Sequence, residues 1–188
     1  MKNVIKSLTV LAIVFAATAF TTPIEKMMVK ESTITWVGKK ITGQHTGSIN
    51  LKEGYLEMKG DKIAGGKFVI DMTSLTVTDL KEGRGKEKLE GHLKSDDFFG
   101  IKNHPTSTLV IAGGSQSGNT YKMEGSITIK GVTQPISFDL SKNGNEATAK
   151  LAIDRTKFGV EYGSGSIFKN LGDKAINDVF ELDVNLKF

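Results

Sequence analysis

The clearest pattern of hydrophobic and polar positions lies at the carboxyl end of the chain, in residues 176–188. Every second side chain there is apolar: Phe180, Leu182, Val184, Leu186 and Phe188. The positions between them are charged or polar: Glu181, Asp183, Asn185 and Lys187. A period of two with one apolar and one polar face predicts a β-strand with one buried and one solvated side.

The same alternation recurs along the chain, in residues 32–38, 48–52, 55–59, 67–73, 107–111, 121–130, 136–140 and 147–153. Turn signals separate these segments, and the pairs Glu53-Gly54 and Asn143-Gly144 both predict tight hairpin turns. We therefore expect an all-β fold of about eight antiparallel strands. A one-sided sheet of this length closes into a barrel to lose its edges, and a barrel of this size can hold one ligand.

The alternation stops between residues 78 and 105. Leu89 and Leu93 lie four positions apart, which predicts a short amphipathic helical insertion near residues 87–100. Ser95 precedes two aspartates, as a helix N-cap would. Such an insertion would cap one end of the barrel.

The amino-terminal residues carry the pattern of a secretory signal peptide. Lys2 and Lys6 precede an apolar run in residues 8–20, and Ala-Thr-Ala at 17–19 supplies small residues for cleavage. The run is too short for a transmembrane helix, although an uncleaved anchor is the alternative. We expect export to the periplasm and three segments: a signal peptide in 1–19, a leader in 20–31 and one barrel domain in 32–188.

Composition excludes several classes of function. The chain has no cysteine, which rules out disulfides, thiol catalysis and cysteine-based metal sites. Without the two lysines of the signal peptide it has 23 basic and 21 acidic residues. This balance does not predict binding of nucleic acid, which requires a clustered basic surface.

Candidate catalytic groups are few. His45, His92 and His104 match no compact metal-ligand spacing, so we interpret them as structural or solvated and predict no metal, cofactor or catalytic residue. The adjacent carboxylates Asp96 and Asp97 are better explained by helix capping than by acid-base catalysis. Arg155 enters a turn before an aromatic residue and a glycine; it could be structural, or it could meet the polar head of a ligand.

The inward faces of the predicted strands are the candidate binding surface. They carry the following side chains: Phe68, Ile70, Ile127, Ile129, Phe138, Leu151, Phe180, Leu182 and Val184. From the residues alone these could line a cavity or simply fill the barrel. Two other interpretations stay open: a small outer-membrane β-barrel, whose apolar face would point outward, and an enzyme acting on a lipid held in the barrel.

Four stretches, taken in order, resemble the YceI-like family of lipid and polyisoprenoid binders: residues 66–71, 92–99 with 103–106, 127–133 and 154–160. The resemblance implies a lipocalin-like antiparallel barrel with a long apolar tunnel for an isoprenoid chain, in a protein that is often exported. It adds Phe98, Phe99, Arg155 and Phe158 to the candidate binding residues, as rim and strand-end positions.

The same resemblance implies a long-chain isoprenoid or other lipid as the partner, and it leaves a homodimer and transient contact with a membrane open. Residues 163–174 differ from the family pattern, so the preference for a head group is not predicted. The expectation is an exported, non-enzymatic lipid-binding protein that serves transport, storage or sequestration.

Overall fold

The structure, a computed structural model, describes residues 22–188, so the predicted signal peptide lies outside the described residues. It contains nine strands and one α-helix: β1 (Ile24–Met28), β2 (Glu31–Lys40), β3 (Gly43–Lys59), β4 (Lys62–Val77), α1 (Lys86–Lys94), β5 (Thr106–Ser117), β6 (Thr120–Ile129), β7 (Val132–Asn143), β8 (Glu146–Asp154) and β9 (Ile176–Lys187). Two short 3₁₀ turns, Arg155–Phe158 and Gly172–Lys174, lie in the connection between β8 and β9.

Eight of the strands close into a barrel. Each strand from β3 to β8 pairs antiparallel with the next in sequence, and β2 closes the circle by pairing with both β3 and β9. The predicted antiparallel barrel of about eight strands with one short helical insertion is therefore confirmed.

The strand β1 extends the barrel wall. It pairs with the last part of β3, where Ile24 lies opposite Lys59. Strand β2 pairs with the first part of β3 in the same register, so that Lys40 lies opposite Gly43. Strands β1 and β2 thus run along β3 as one interrupted strand. The segment treated above as a leader, 20–31, therefore contributes one strand and the first residue of another.

The predicted hairpin at Glu53-Gly54 is wrong, because β3 runs without a turn through both residues. Gly54 lies opposite Phe68 of β4, and a Cβ built on it would come 2.5 Å from Phe68 Cδ1. The glycine therefore allows an aromatic ring to pack against the backbone. The turn between β7 and β8 does form as predicted, with Gly144 at a φ of 55°.

Ser95 was predicted to begin a helix, and this is wrong as well. Its N–H and its hydroxyl both donate to the carbonyl of His92, at 3.1 and 2.8 Å, so Ser95 ends α1. Residues 96–99 form turns instead of a second helix.

Helix α1 is anchored over one end of the barrel through Glu90. Its carboxylate accepts hydrogen bonds from the hydroxyl of Thr76 at 2.6 Å and from the N–H of Val77 at 2.8 Å. These two bonds hold the pKa of Glu90 below its usual range, and the bond from the Thr76 hydroxyl has the larger effect. A depressed pKa means that the anchor contributes stability at neutral pH and loses it as the pH falls through that pKa.

Replacement of Gly47 by alanine is expected to lower the free energy of unfolding by about 3 kcal/mol. A Cβ at this position would lie 1.9 Å from the carbonyl oxygen of Thr76 and 2.3 Å from Cζ2 of Trp36, so β3 would have to move away from both. Urea denaturation measures the change.

The matched control is Gly91→Ala on α1, where an added Cβ meets no atom of the described chain within 4 Å. Here alanine should raise the free energy of unfolding by about 0.5 to 1 kcal/mol, because it favours the helix. An unchanged urea midpoint in Gly47→Ala would contradict the close approach of Trp36.

Candidate functional site

The barrel encloses a cavity of about 310 Å³ whose wall is almost entirely apolar. All eight barrel strands contribute side chains to it, and α1 with the turn that follows covers one end. This volume lies at the lower end of the range for small-molecule pockets. The alternation of the strands explains the apolar wall, since every second side chain of a closed one-sided sheet points inward.

The two ends of the cavity differ. Phe180, Leu182 and Val184 of β9 are only partly buried, although they face the barrel interior. Leu186 and Phe188, further along the same face, are each 6% exposed. The end of the barrel near the carboxyl terminus is therefore filled by side chains, whereas the end under α1 is open to small molecules.

Twelve of the thirteen predicted binding residues lie in the wall of this cavity: Phe68, Ile70, Phe98, Phe99, Ile127, Ile129, Phe138, Leu151, Arg155, Phe180, Leu182 and Val184. Phe158 does not; it is buried in the 3₁₀ turn after β8, next to the wall. The structure thus brings predicted residues from five strands and two loops into one site.

Other wall residues were not in the predicted set, among them Trp36, Leu75 and Leu109. Trp36 follows the alternation of β2 and could have been included on that signal. Leu75 lies beyond residue 73, where the sequence pattern predicted the end of its strand, but β4 continues to Val77.

Aromatic side chains pack beneath α1 at the open end of the barrel. His92 contacts Phe98 and Tyr162 edge to face, with ring centroids 5.6 and 4.4 Å apart. Phe99 makes a similar contact with Phe98 at 5.2 Å. Such contacts hold the helix and the turn after it against the wall and leave His92 in a packing role.

Arg155 is 2% exposed, and its guanidinium group is held by backbone carbonyls. It donates to Val160 at 2.7 Å, to Asn177 at 3.1 Å and to Ile176 at 3.1 Å, and its Nη2 lies 3.6 Å from Oδ1 of Asp178. These contacts fasten the connection after β8 to the start of β9. The structural interpretation of Arg155 is the one that its geometry supports.

Burial disfavours the charged form of both groups in this pair, and their attraction for each other opposes that effect. Desolvation lowers the pKa of Arg155, and the nearby Asp178 opposes that effect. Desolvation raises the pKa of Asp178, but contacts from Ser164 and Ser166 and the charge of Arg155 outweigh it and leave the pKa lowered.

The mouth of the cavity carries the polar groups of the site. His45 Nδ1 lies 2.8 Å from Oδ2 of Asp79, and Lys39 Nζ lies 2.6 Å from Oε1 of Glu181. Lys39, Lys40 and His45 belong to the cavity wall at this end. An apolar ligand that fills the barrel would therefore place any polar head group among these side chains.

Two polar atoms in the wall lack partners. Among residues 22–188, neither Nε1 of Trp36 nor Oγ of Ser107 has a hydrogen bond, although both atoms are buried. An unpaired buried donor costs about 1 to 3 kcal/mol, so these positions reduce the stability of the empty barrel.

Two other kinds of feature are absent from residues 22–188. No group of three histidine, aspartate or glutamate side chains is placed to hold a metal ion in this part of the chain. No helix within the described range has the length and apolar character that crossing a membrane requires.

Comparisons with known proteins agree with this architecture. The chain is 36% identical to a UPF0312 protein of Staphylococcus aureus strain USA300 over 87 residues, which cover 40% of this chain and 48% of that protein. A UPF0312 protein of Pectobacterium atrosepticum is 26% identical over 69 residues, 37% of this chain and 36% of that protein. The chain therefore matches about a third to a half of the length of these curated relatives.

Solved structures show the same fold. BcnA of Burkholderia cenocepacia superimposes with a TM-score of 0.66 at 22% identity, over 84% of this chain and 98% of that one. A polyisoprenoid binding domain from Saccharophagus degradans, implicated in plant cell wall breakdown, gives a TM-score of 0.61 at 14% identity, over 87% and 97%. Residues 26–188 match the YceI-like domain across all eight barrel strands, and the chain belongs to that family.

Proposed function

We propose that this protein binds one long apolar chain, a polyisoprenoid or a similar lipid, inside the barrel. The observation that carries the proposal is the enclosed apolar cavity, open at the end under α1 and lined by all eight strands. The protein would hold the chain for transport, storage or sequestration.

Burial of hydrocarbon supplies the binding energy in this proposal. Each methylene group that leaves water contributes about 0.8 kcal/mol. A segment of roughly ten methylenes would then retain several kcal/mol after the cost of ordering the chain. No charged contact is needed for tight binding, which agrees with a wall that is almost entirely apolar.

The direction of the side chains supports an internal ligand over an outer-membrane barrel. Apolar side chains of β9 face the interior, whereas Glu181 and Asn185 face outward, and Lys122 and Glu124 do so on β6. A barrel that crosses a membrane has an outward apolar band instead. The fold shared with the polyisoprenoid binding domain of Saccharophagus degradans supports the same class of ligand.

Binding without catalysis is part of the proposal. Two titratable side chains of the cavity wall are engaged in contacts that hold the fold together: Arg155 donates to three carbonyls, and His45 contacts Asp79. We also propose export, supported by the signal-peptide pattern in residues 1–19. The homodimer that the family resemblance leaves open can be tested by sedimentation analysis.

Native mass spectrometry tests the function directly. The full chain should be expressed with its amino-terminal segment, purified from the exported fraction without detergent, and compared before and after solvent extraction. We expect a mass excess on the folded protein that extraction releases as a long-chain apolar molecule. An empty protein that takes up no added polyprenol would contradict the proposal.

A further inference from the structure

Apolar side chains are exposed around the mouth of the cavity. Ile41, at the tip of the hairpin between β2 and β3, is 67% exposed. Tyr162, Ile167 and Phe168, in the connection between β8 and β9, are 50, 43 and 47% exposed. We call residues 38–43 and 162–175 together the mouth rim.

The two segments of the mouth rim form one surface beside the cavity. A groove lined by Ile41, Gly165 and Ala175 joins them, and it shares Ile176 and Asn177 with the cavity wall. On the other side of the mouth, Tyr162 packs on His92, which also lines the cavity. The exposed apolar side chains thus border the opening through which a ligand enters.

The mouth rim is also basic. It carries four lysines, Lys39, Lys40, Lys169 and Lys174, against Asp173 within it and Glu161 directly before it. All of these except Lys39 have exposed side chains without an ion pair among the described residues, and Lys39 pairs with Glu181. Exposed apolar side chains surrounded by lysines match the interface of an anionic bilayer, where apolar groups enter the acyl boundary and lysines meet the head groups.

We propose that the mouth rim docks on the surface of an anionic lipid bilayer, with Ile41 and Phe168 entering the interface. This rests on the proposed function, because docking lets an apolar chain pass between the bilayer and the cavity without crossing water. A second copy of the chain is the other occupant that such a patch could take, and its basic charge disfavours that choice, since two copies would bring lysines together.

Co-sedimentation with vesicles tests the docking. The probes are vesicles of equal parts phosphatidylcholine and phosphatidylglycerol, and vesicles of phosphatidylcholine alone. The double variant Ile41→Asp/Phe168→Asp should bind the mixed vesicles about tenfold more weakly than the unaltered protein. Lys169→Glu/Lys174→Glu should lose a similar factor on mixed vesicles and little on phosphatidylcholine alone.

The control is Ile24→Asp/Met28→Asp, which alters two comparably exposed apolar side chains on β1, at the opposite end of the barrel. It adds the same charge and should change vesicle binding by less than about twofold. Equal losses in the two aspartate variants, or no binding of the unaltered protein to mixed vesicles, would overturn the proposal. So would a rim variant that dissociates a dimer and leaves vesicle binding intact.

Lipid content separates this proposal from the proposed function. The rim variants should retain the same extractable lipid as the unaltered protein at equilibrium and exchange it more slowly with mixed vesicles. A protein that never contains lipid refutes the proposed function, whereas the docking of the mouth rim is decided by co-sedimentation alone.

Discussion

Substitution of Leu182 by aspartate is expected to abolish retention of lipid and to lower the free energy of unfolding by several kcal/mol. Leu182 faces the cavity from β9, between Trp36 of β2 and Leu151 of β8 in the strand register. A carboxylate at this position has no partner in an apolar wall, and an unpaired buried charge is costly. Urea denaturation and solvent extraction of the purified protein measure the two effects, and Phe138→Asp should behave in the same way.

Lys122→Asp is the control for the assignment of inner and outer faces. Lys122 is exposed on the outer face of β6, opposite Asp139 of β7. The new aspartate would repel Asp139, and a like-charged pair across two strands costs up to about 1 kcal/mol. Lipid retention should not change. If Lys122→Asp were as damaging as Leu182→Asp, the assignment of faces would be wrong.

A variant that fills the cavity separates loss of binding from loss of folding. Ala149 of β8 lies in the cavity wall beside Val184, so a phenylalanine there can project into space that the ligand would occupy. Ala149→Phe should lose extractable lipid while its free energy of unfolding changes by about 1 kcal/mol or less, because the ring enters a cavity. Unchanged lipid content would place the ligand elsewhere.

Local periodicity explains why most of the barrel could be predicted. The inward face of β9 follows from the alternation that ends at Phe188, and that alternation needs no knowledge of the neighbouring strands. The same signal placed Phe138 and Leu151 on inner faces, as the structure has them. Whether those faces enclose space or fill it depends on the barrel diameter, which no single strand encodes.

Two other features, Gly54 and Ser95, were predicted wrongly because their residue types suit more than one local structure. Gly54 has the residue type of a turn, but it serves the packing of Phe68 from β4. Ser95 has the residue type of an N-cap, but its hydroxyl bonds backward to His92 and ends a helix. Glycine and serine each satisfy more than one local geometry, so the residue type alone does not decide between them.

Arg155→Met is expected to lower the free energy of unfolding by about 3 to 5 kcal/mol, because it removes a buried guanidinium group that donates to three backbone carbonyls. The carbonyls of Val160, Ile176 and Asn177 would lose their donor, and Asp178 would lose its nearby cation. Arg155→Lys should recover little of this loss, since one ammonium group cannot reproduce the planar fork that reaches three carbonyls. Urea denaturation gives the free energies.

The double variant Arg155→Met/Asp178→Asn identifies the cause of that loss. The double variant should lose less free energy of unfolding than the two single variants lose in sum. The difference should be about 0.5 to 3 kcal/mol, as expected for residues in one network. The sequence left open whether Arg155 holds the fold or the head group of a ligand. A head-group role would instead give Arg155→Met an unchanged urea midpoint together with a lower lipid content, and the energies of the two single variants would then add.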